Sequence, residues 1–245
     1  MSVRITRAVA LRVLGQLRRD PRTIALIVGV PCVLMVLLQQ LFGRSSPVFQ
    51  SVGTPMLGLF PFITMFLVTS VTMLRERTSG TLERLMTMPL HKIDILAGYG
   101  TAFAIVAVVQ ATVVSSLALG LLGLDVAGPN WLVVVLAVAN AVLGSTLGLF
   151  VSAFAETEFQ AVQFMPAIVL PQILLCGLFV ARDEMATWLR VISDVLPLTY
   201  AYDALARTAA NEIDDVWFAI DCLVVAGSIA LAIALGAATL RRRTA

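Results

Sequence analysis

The segment RERTSGTLERLMTMPLHKIDIL, residues 75–96, is the one internal stretch of this sequence that is dense in charge. Long apolar runs precede it and follow it, and the segment is too short to form a domain. An apolar run of about twenty residues is enough for a helix to cross the hydrocarbon core of a bilayer. We therefore expect residues 75–96 to form a short structured loop at a membrane surface, between two spanning helices. Our interpretation is that this loop receives force from another protein.

Working outward from this loop, six segments have the length and hydropathy of a spanning helix. They are residues 23–42, 56–74, 95–122, 131–153, 161–180 and 216–240. The whole chain is 59% hydrophobic and 13% charged, with a mean hydropathy of +0.95, which is far from the composition of a soluble protein. The sequence thus predicts an all-α membrane protein in which residues 1–245 form a single transmembrane domain.

The first 22 residues have the pattern of a helix that lies in the membrane interface. Apolar residues recur there at helical spacing, while five arginines occupy the other side. Asp20-Pro21 should end this helix, because proline removes a backbone donor and disfavours helix at the residue before it. An alternative is a positively charged flank that only orients the first span, and the two interpretations are compatible.

The distribution of positive charge predicts the orientation. If both termini and the loop at 75–96 lie in the cytoplasm, that side holds thirteen of the seventeen Lys and Arg residues. This bias follows the positive-inside rule and predicts a multi-pass protein of the cell (plasma) membrane with both termini cytoplasmic. The three cysteines, Cys32, Cys176 and Cys222, lie in or beside apolar runs, so we expect reduced thiols.

The longest gap between spans, residues 181–215, falls on the outer side. Apolar residues recur within 185–196 at spacings of three and four, which predicts a short amphipathic helix in the outer leaflet that Pro197 ends. The next residues, 198–210, can form a second helix. Polar residues also enter the spans: Gln39, Gln110, Asn140, Gln163 and Gln172. They need partners in hydrocarbon, either on other helices or along a water-filled path.

Catalytic and nucleotide-binding motifs are missing from the sequence. A phosphate-cradling loop needs glycines and a lysine, but Lys92, the only lysine, follows His91 outside any glycine-rich loop. His91 is also the only histidine and has no cysteine nearby, so we expect no metal site. We expect no enzymatic activity and no cofactor on this chain, and a net charge of +2 gives no indication of nucleic acid.

Two motifs resemble a known family. RERTSGTLERLMTMPL (75–90), between the second and third spans, is similar to the ERxxGTLERLxxxPL loop of permease subunits of the ABC-2 family of ATP-driven exporters, in particular the branch of daunorubicin-type drug exporters. EFQAVQFMPAIVLPQILLCGLF (158–179), followed by VLPLTYAYDAL (195–205), is the second match. With the six spans, the resemblance covers nearly the whole chain.

The resemblance implies that residues 80–88 form a coupling helix seated on an ATP-binding subunit. The residues fit a helix, since Leu82, Leu85 and Met86 would make one apolar face and Pro89 its end. An ordinary positive-inside loop is the alternative. The residues expected to couple this chain to the ATPase are Glu76, Arg77, Gly80, Leu82, Glu83, Arg84, Leu85 and Met86.

The resemblance also implies the assembly and the cargo. We expect two ATP-binding cassette subunits, which would hold ATP and Mg, a second permease copy or a paralogue, membrane lipid around them, and a bacterial source. The five polar span residues are candidates to line a path for an amphipathic or apolar drug or lipid, and Trp188, Leu189 and Ile192 are candidates for an outer gate. The alternatives from other classes are a secondary transporter or channel, and a membrane scaffold that transports nothing.

Overall fold

The structure is a computed structural model that describes residues 3–81 and 92–239, and these ranges contain helices and connecting turns without a β-strand. The helices are α1 Val3–Arg18, α2 Pro21–Phe42, α3 Pro47–Thr78, α4 Lys92–Ser116, α5 Asn130–Val151, α6 Glu158–Leu175, α7 Thr187–Ser193, α8 Pro197–Ala210 and α9 Val216–Thr239. A π-helical turn, Leu117–Leu121, extends α4, and a 3-10 turn, Ser152–Phe154, extends α5. The predicted all-α class is confirmed for the described residues.

Six of these helices are long and apolar enough to cross a membrane. They are Pro21–Phe42, Pro47–Thr78, Asp94–Leu121, Asn130–Phe154, Glu158–Leu175 and Val216–Thr239. The number of spans therefore agrees with the sequence-based prediction, and each one overlaps a predicted segment. The expected coupling helix at 80–88 lies almost entirely outside the described residues.

Local chemistry sets where several helices begin. The carboxylate of Asp20 accepts hydrogen bonds from the backbone N–H and the hydroxyl of Thr23, and Pro21 occupies the first turn of α2. Ser46 caps α3 in the same manner, ahead of Pro47. Proline suits this position because the first backbone N–H groups of a helix have no intrahelical partner. The predicted break between α1 and α2 at Asp20-Pro21 is thereby confirmed.

Two spans differ more than the others in their bounds from the prediction. The second was expected at 56–74, but α3 runs over Pro47–Thr78 because its polar first and last turns remain helical beyond the apolar part. The fifth was expected at 161–180, but α6 ends at Leu175, where Gly177 adopts a positive φ of 101° and turns the chain. The hydroxyl of Ser193 in α7 donates to the carbonyl of Leu175, which supplies a partner that the helix end lacks.

The centre of the bundle is the pair α3 and α5, whose spanning residues are mostly buried. Gly144 and Gly148 of α5 lie one turn apart, and a side chain at either position would overlap the backbone of Phe62 or Phe66 in α3. Small residues at this spacing let two membrane helices pack backbone against backbone. By contrast, α2, α6 and α9 leave most of their surface outside the core.

Because successive spans run in alternate directions, the bundle has two distinct ends. The α1 end contains α1, the end of α3 and the start of α4, which meet where Arg12 contacts Glu76. The α8 end contains α7, α8 and the link between α4 and α5, where the N–H of Ala127 donates to the carbonyl of Ala209. Polar groups concentrate at these two ends.

Candidate functional site

Three helices meet in a polar cluster at the α1 end, formed by Arg12, Glu76 and Tyr99. The Arg12 guanidinium donates to Oε2 of Glu76 at 3.0 Å, and the hydroxyl of Tyr99 donates to the same oxygen at 2.7 Å. Arg12 also contacts the Tyr99 hydroxyl and lies over its ring at 5.6 Å from the centroid. Glu76 and Tyr99 are both buried, so this cluster, the Glu76 clamp, fastens α1 to the end of α3 and to α4.

Close packing supports the Glu76 clamp. Gly98 of α4 lies against Val9 of α1, where a larger side chain would overlap Val9. The hydroxyl of Thr6 donates to the backbone carbonyl of Asp94 at 3.4 Å. The helix α1 was predicted to be amphipathic; its apolar residues Val9 and Val13 face the bundle, and its remaining arginines are exposed. Movement of α4 would therefore carry α1 with it.

The other predicted coupling residues lie close to the clamp, where the structure describes them. Arg77 is half-buried, and two of its guanidinium nitrogens are buried without a hydrogen-bond partner among the described residues. Gly80 adopts a positive φ of 71°, a conformation that favours glycine. Glu76, by contrast, turns inward into the clamp. The remaining predicted residues, 82–86, lie outside the described residues.

The end of α3 is also joined to α6. Arg75, which the sequence analysis did not single out, donates two hydrogen bonds to Glu158 at 2.8 and 2.9 Å. Both side chains are more than half exposed, so this bidentate pair is a surface contact. A signal for it existed in the sequence, since both residues lie in the two motifs that carry the family resemblance.

Three of the five polar residues predicted to line a path are buried within this one copy. Gln110 donates through Nε2 to the carbonyl of Ile27 at 2.7 Å and also to the hydroxyl of Thr64. Asn140 donates to the carbonyl of Ala201 in α8 at 3.4 Å. Gln172 donates to the carbonyl of Ile168, one turn earlier in its own helix. In this copy these three amides therefore make contacts inside the bundle.

The other two polar residues face outward. Gln163 is exposed on α6, and Gln39 is half-buried near the end of α2. The exposed face of α6 also contains Phe159, Val162 and Leu170. An amide on an apolar membrane face needs a partner outside its own helix. Of the five candidates, Gln163 is the one whose polar group is most available to another chain or to a path.

The candidate outer gate lies on α7 at the α8 end. Trp188 and Ile192 are exposed there, and Leu189 is half-buried. A cluster that the sequence analysis missed holds the helix in place, because Arg182 forms ion pairs with both Asp194 and Asp203. The outward surface of α7 is therefore apolar, and the ion-pair cluster of Arg182, Asp194 and Asp203 anchors the helix.

The Arg182 cluster also includes Tyr200. Its hydroxyl donates to the carbonyl of Asp194 at 2.7 Å, and its ring centroid lies 5.8 Å from the Arg182 guanidinium. Burial raises the pKa of Asp203, while the hydrogen bond from Arg182 acts in the opposite direction. Arg182 therefore compensates a carboxylate that is largely removed from water.

A second ion-pair group joins α8 to α9. Arg207 donates to Asp221 at 3.1 Å and to Asp215 at 3.3 Å. Asp221 is buried in the second turn of α9, inside the predicted sixth span. The sequence analysis missed this pair, although an acid at the start of an apolar run is the signal that could have found it.

A bundle of six spanning helices with polar clusters at both ends defines a polytopic integral membrane protein. Comparison with known protein families identifies the family of membrane proteins to which it belongs. The ABC-2 type transporter family matches residues 5–208, so the chain belongs to that family.

Three relatives are similar to this chain. A probable multidrug ABC transporter permease, YbhR of Escherichia coli, is 28% identical over 164 residues, which are 66% of this chain and 45% of the relative. ABC transporter G family member 20 of Dictyostelium discoideum is 27% identical over 61% of this chain and 20% of the relative. The linearmycin resistance permease protein LnrN of Bacillus subtilis is 25% identical over 62% of this chain and 39% of the relative. The matched region is less than half the length of each relative.

Proposed function

We propose that this chain is the permease subunit of an ATP-driven exporter and that ATP hydrolysis takes place on a separate ATP-binding subunit. The observation that carries the proposal is membership of the ABC-2 type transporter family across residues 5–208. Two relatives are named as permeases, which supports the same division of labour. ATP and Mg would be bound by the partner subunit, two copies of which would serve two permease copies.

The Glu76 clamp supplies a physical route for coupling. Residues 82–91 lie in the connection between α3 and α4, and Glu76 and Tyr99 lie within about two turns of that segment on its two sides. A force applied to the segment would reach both helices through buried contacts, and α1 would follow through Arg12. Stiff, packed elements transmit such a displacement as a rigid-body movement. We infer that the α1 end is the cytoplasmic end, as the distribution of arginine also indicates.

The position of Gln163 supports a path between two permease copies. The amide nitrogens of Gln110, Asn140 and Gln172 donate to carbonyls inside one copy, although their amide oxygens are buried without a partner among the described residues. Gln163, in contrast, faces outward on a helix with little buried surface. A second copy, or a water-filled path beside it, would supply the partner that this amide needs. We therefore assign α6, rather than the centre of the bundle, to the wall of the path.

An apolar or amphipathic drug or lipid is the cargo that we propose. The names of two relatives, a multidrug permease and a linearmycin resistance permease, support a drug-like cargo for this chain. Proteoliposomes that contain the permease and its ATP-binding subunit can be tested for ATP-dependent movement of a fluorescent amphiphile. Movement without ATP would favour a secondary transporter or channel, and no movement of any cargo would favour a scaffold.

Charge reversal in the 82–91 segment tests the coupling itself. Glu83→Arg with Arg84→Glu should abolish either assembly with the ATP-binding subunit or the stimulation of ATP hydrolysis by cargo. Asp183→Lys is the matched control, because Asp183 is an exposed acid at the opposite end of the bundle. The assays are co-purification and cargo-stimulated ATPase activity in nanodiscs. Wild-type behaviour of the double variant in both assays would contradict the proposed coupling.

A further inference from the structure

A cavity of about 280 Å³ opens at the α1 end, between α1, α2, α3 and α4. One wall is apolar and consists of Val13, Leu17, Phe103 and Val106. Its volume is close to the lower limit of small-molecule pockets, about 300 Å³. The cavity lies within a single copy and is lined by none of the residues that were assigned to the cargo path.

The opposite wall contains a carboxylate oxygen without a partner. Glu76 lines the cavity although its side chain is only 9% exposed. The hydrogen bonds from Arg12 and from Tyr99 both go to Oε2, so Oε1 has no hydrogen-bond donor among the described residues. Oε1 keeps some access to solvent through the cavity and can accept a hydrogen bond there. The geometry thus leaves room for a ligand that donates one.

The charges around the cavity favour a cation. Asp20 and Glu76 line it, and hydrogen bonds from Thr23 lower the pKa of Asp20, so that this carboxylate is ionised at neutral pH. Arg75 also lines the cavity, but Glu158 holds its guanidinium in two hydrogen bonds.

Two carboxylates, those of Asp20 and Glu76, line the cavity together with one guanidinium group, that of Arg75. Arg12 pairs with Glu76 and Arg75 pairs with Glu158. Asp20 forms no ion pair among the described residues, and Arg22 is its charged neighbour. Opposite charge at short range in a partly buried site favours binding. Hydroxyl groups on the same wall, from Thr72 and Ser79, can accept further hydrogen bonds from an ammonium group.

We propose that this cavity binds the primary ammonium head of a single-chain amine. The ammonium group donates to Oε1 of Glu76, and the first methylene groups of its chain pack against Phe103 and Val106. The site goes beyond the proposed function, because its occupancy requires neither the ATP-binding subunit nor transport. An occupant would hold the Glu76 clamp closed, since Glu76 also fastens α1 to α3. A lipid with a primary ammonium headgroup and a soluble alkylamine share this chemistry.

The test uses the purified full chain in nanodiscs of phosphatidylcholine, whose quaternary headgroup has no N–H donor. Octylamine is the probe, and octanol and octanoate are the neutral and anionic probes of equal chain length. Isothermal titration should show saturable binding of octylamine at least about tenfold tighter than that of either other probe, as expected for a charge-assisted hydrogen bond. Equal affinities for octylamine and octanol would overturn the proposal, and this comparison needs no variant.

Two variants address the two walls separately. Glu76→Gln should weaken octylamine binding by about tenfold or more, because the charge is lost while the shape is kept. Val106→Phe fills the cavity without touching the carboxylate and should weaken it similarly. Glu156→Gln, an exposed acid at the same end that does not line the cavity, should bind like wild type. Wild-type affinity of a folded Val106→Phe protein would overturn the proposal even if Glu76→Gln failed to fold.

Nanodiscs that contain phosphatidylethanolamine identify the natural source. If that lipid occupies the cavity, the apparent affinity for octylamine should fall as its fraction in the disc increases. If the affinity is unchanged, a soluble amine is the ligand. Both results support the site, whereas the absence of any octylamine preference in phosphatidylcholine alone contradicts it.

Discussion

The hydrogen bond from Gln110 to the carbonyl of Ile27 compensates for a proline in the middle of a membrane helix. Pro31 lies four residues after Ile27 and has no N–H, so it cannot donate the bond that this carbonyl would accept in an unbroken helix. Gln110 reaches the carbonyl from α4 at 2.7 Å. We predict that Gln110→Leu destabilises the protein and that Pro31→Ala rescues part of the loss.

The structure sets the expected size of this effect. Gln110→Leu removes two donated bonds, to Ile27 and to Thr64, and interhelical hydrogen bonds in membranes contribute about 0.6 to 1.7 kcal/mol each. Pro31→Ala restores an N–H within α2 that can satisfy Ile27. Gln110→Leu should then cost about 1 kcal/mol less in the Pro31→Ala background, while the loss of the Thr64 bond is equal in both backgrounds and cancels.

The measurement is a double-mutant cycle of the free energy of unfolding. The four proteins would be unfolded with SDS in mixed micelles and followed by tryptophan fluorescence. Gln172→Leu is the matched control, since Gln172 donates to its own helix and its loss should not depend on residue 31. A coupling energy within about 0.3 kcal/mol of zero would refute the assignment of Gln110 as the partner of the proline-freed carbonyl.

Three further predictions follow from the packing and the charges. Gly144→Ala should lower the free energy of unfolding by about 1–3 kcal/mol, because the new Cβ would overlap the α3 backbone. Gly227 lies in open space, so Gly227→Ala should be neutral or stabilising by up to about 1 kcal/mol. Equal effects of the two substitutions would contradict the close approach of α3 and α5. Tyr99→Phe should lower the unfolding temperature through a loss of about 1 kcal/mol and reduce cargo-stimulated ATPase activity, and unchanged values would show that the Glu76 clamp is not needed. In a cysteine-free background, an impermeant maleimide added to intact cells should label Asp183→Cys and not Arg7→Cys, and the reverse would invert the proposed topology.

The number and type of helices could be predicted from the sequence because the bilayer restricts what can cross it. Every backbone polar group must find a partner in hydrocarbon, so an apolar run of sufficient length forms a helix. The ends of the helices follow different physics. Gln50 in the first turn of α3 donates to the carbonyl of Gly123, and Arg75 in its last turn binds Glu158. These partners are distant in sequence. A local hydropathy window cannot detect them, so the predicted segment was shorter than α3 at both ends.

The sequence could not predict whether a polar side chain in a span points into the bundle or outward. Gln110, Gln163 and Gln172 are the same residue in similar apolar surroundings, yet Gln110 and Gln172 are buried and Gln163 is exposed. Helix rotation decides this, and packing against neighbouring helices decides the rotation. Asp221 was a visible signal, as an acid at the start of an apolar run, but its pairing with Arg207 was not, because only the fold brings the two helices together.

The packing also indicates which helices are expected to move. Gly144 and Gly148 bring the backbones of α3 and α5 together, so these two helices should move as one body. In contrast, α6 has little buried surface, and its start is joined to the end of α3 by the exposed pair of Arg75 and Glu158. An exposed ion pair contributes at most about 1 kcal/mol, so it can open and close within a transport cycle. A force on the segment after α3 would therefore reach Gln163 on α6 through a contact that is weak enough to be switched.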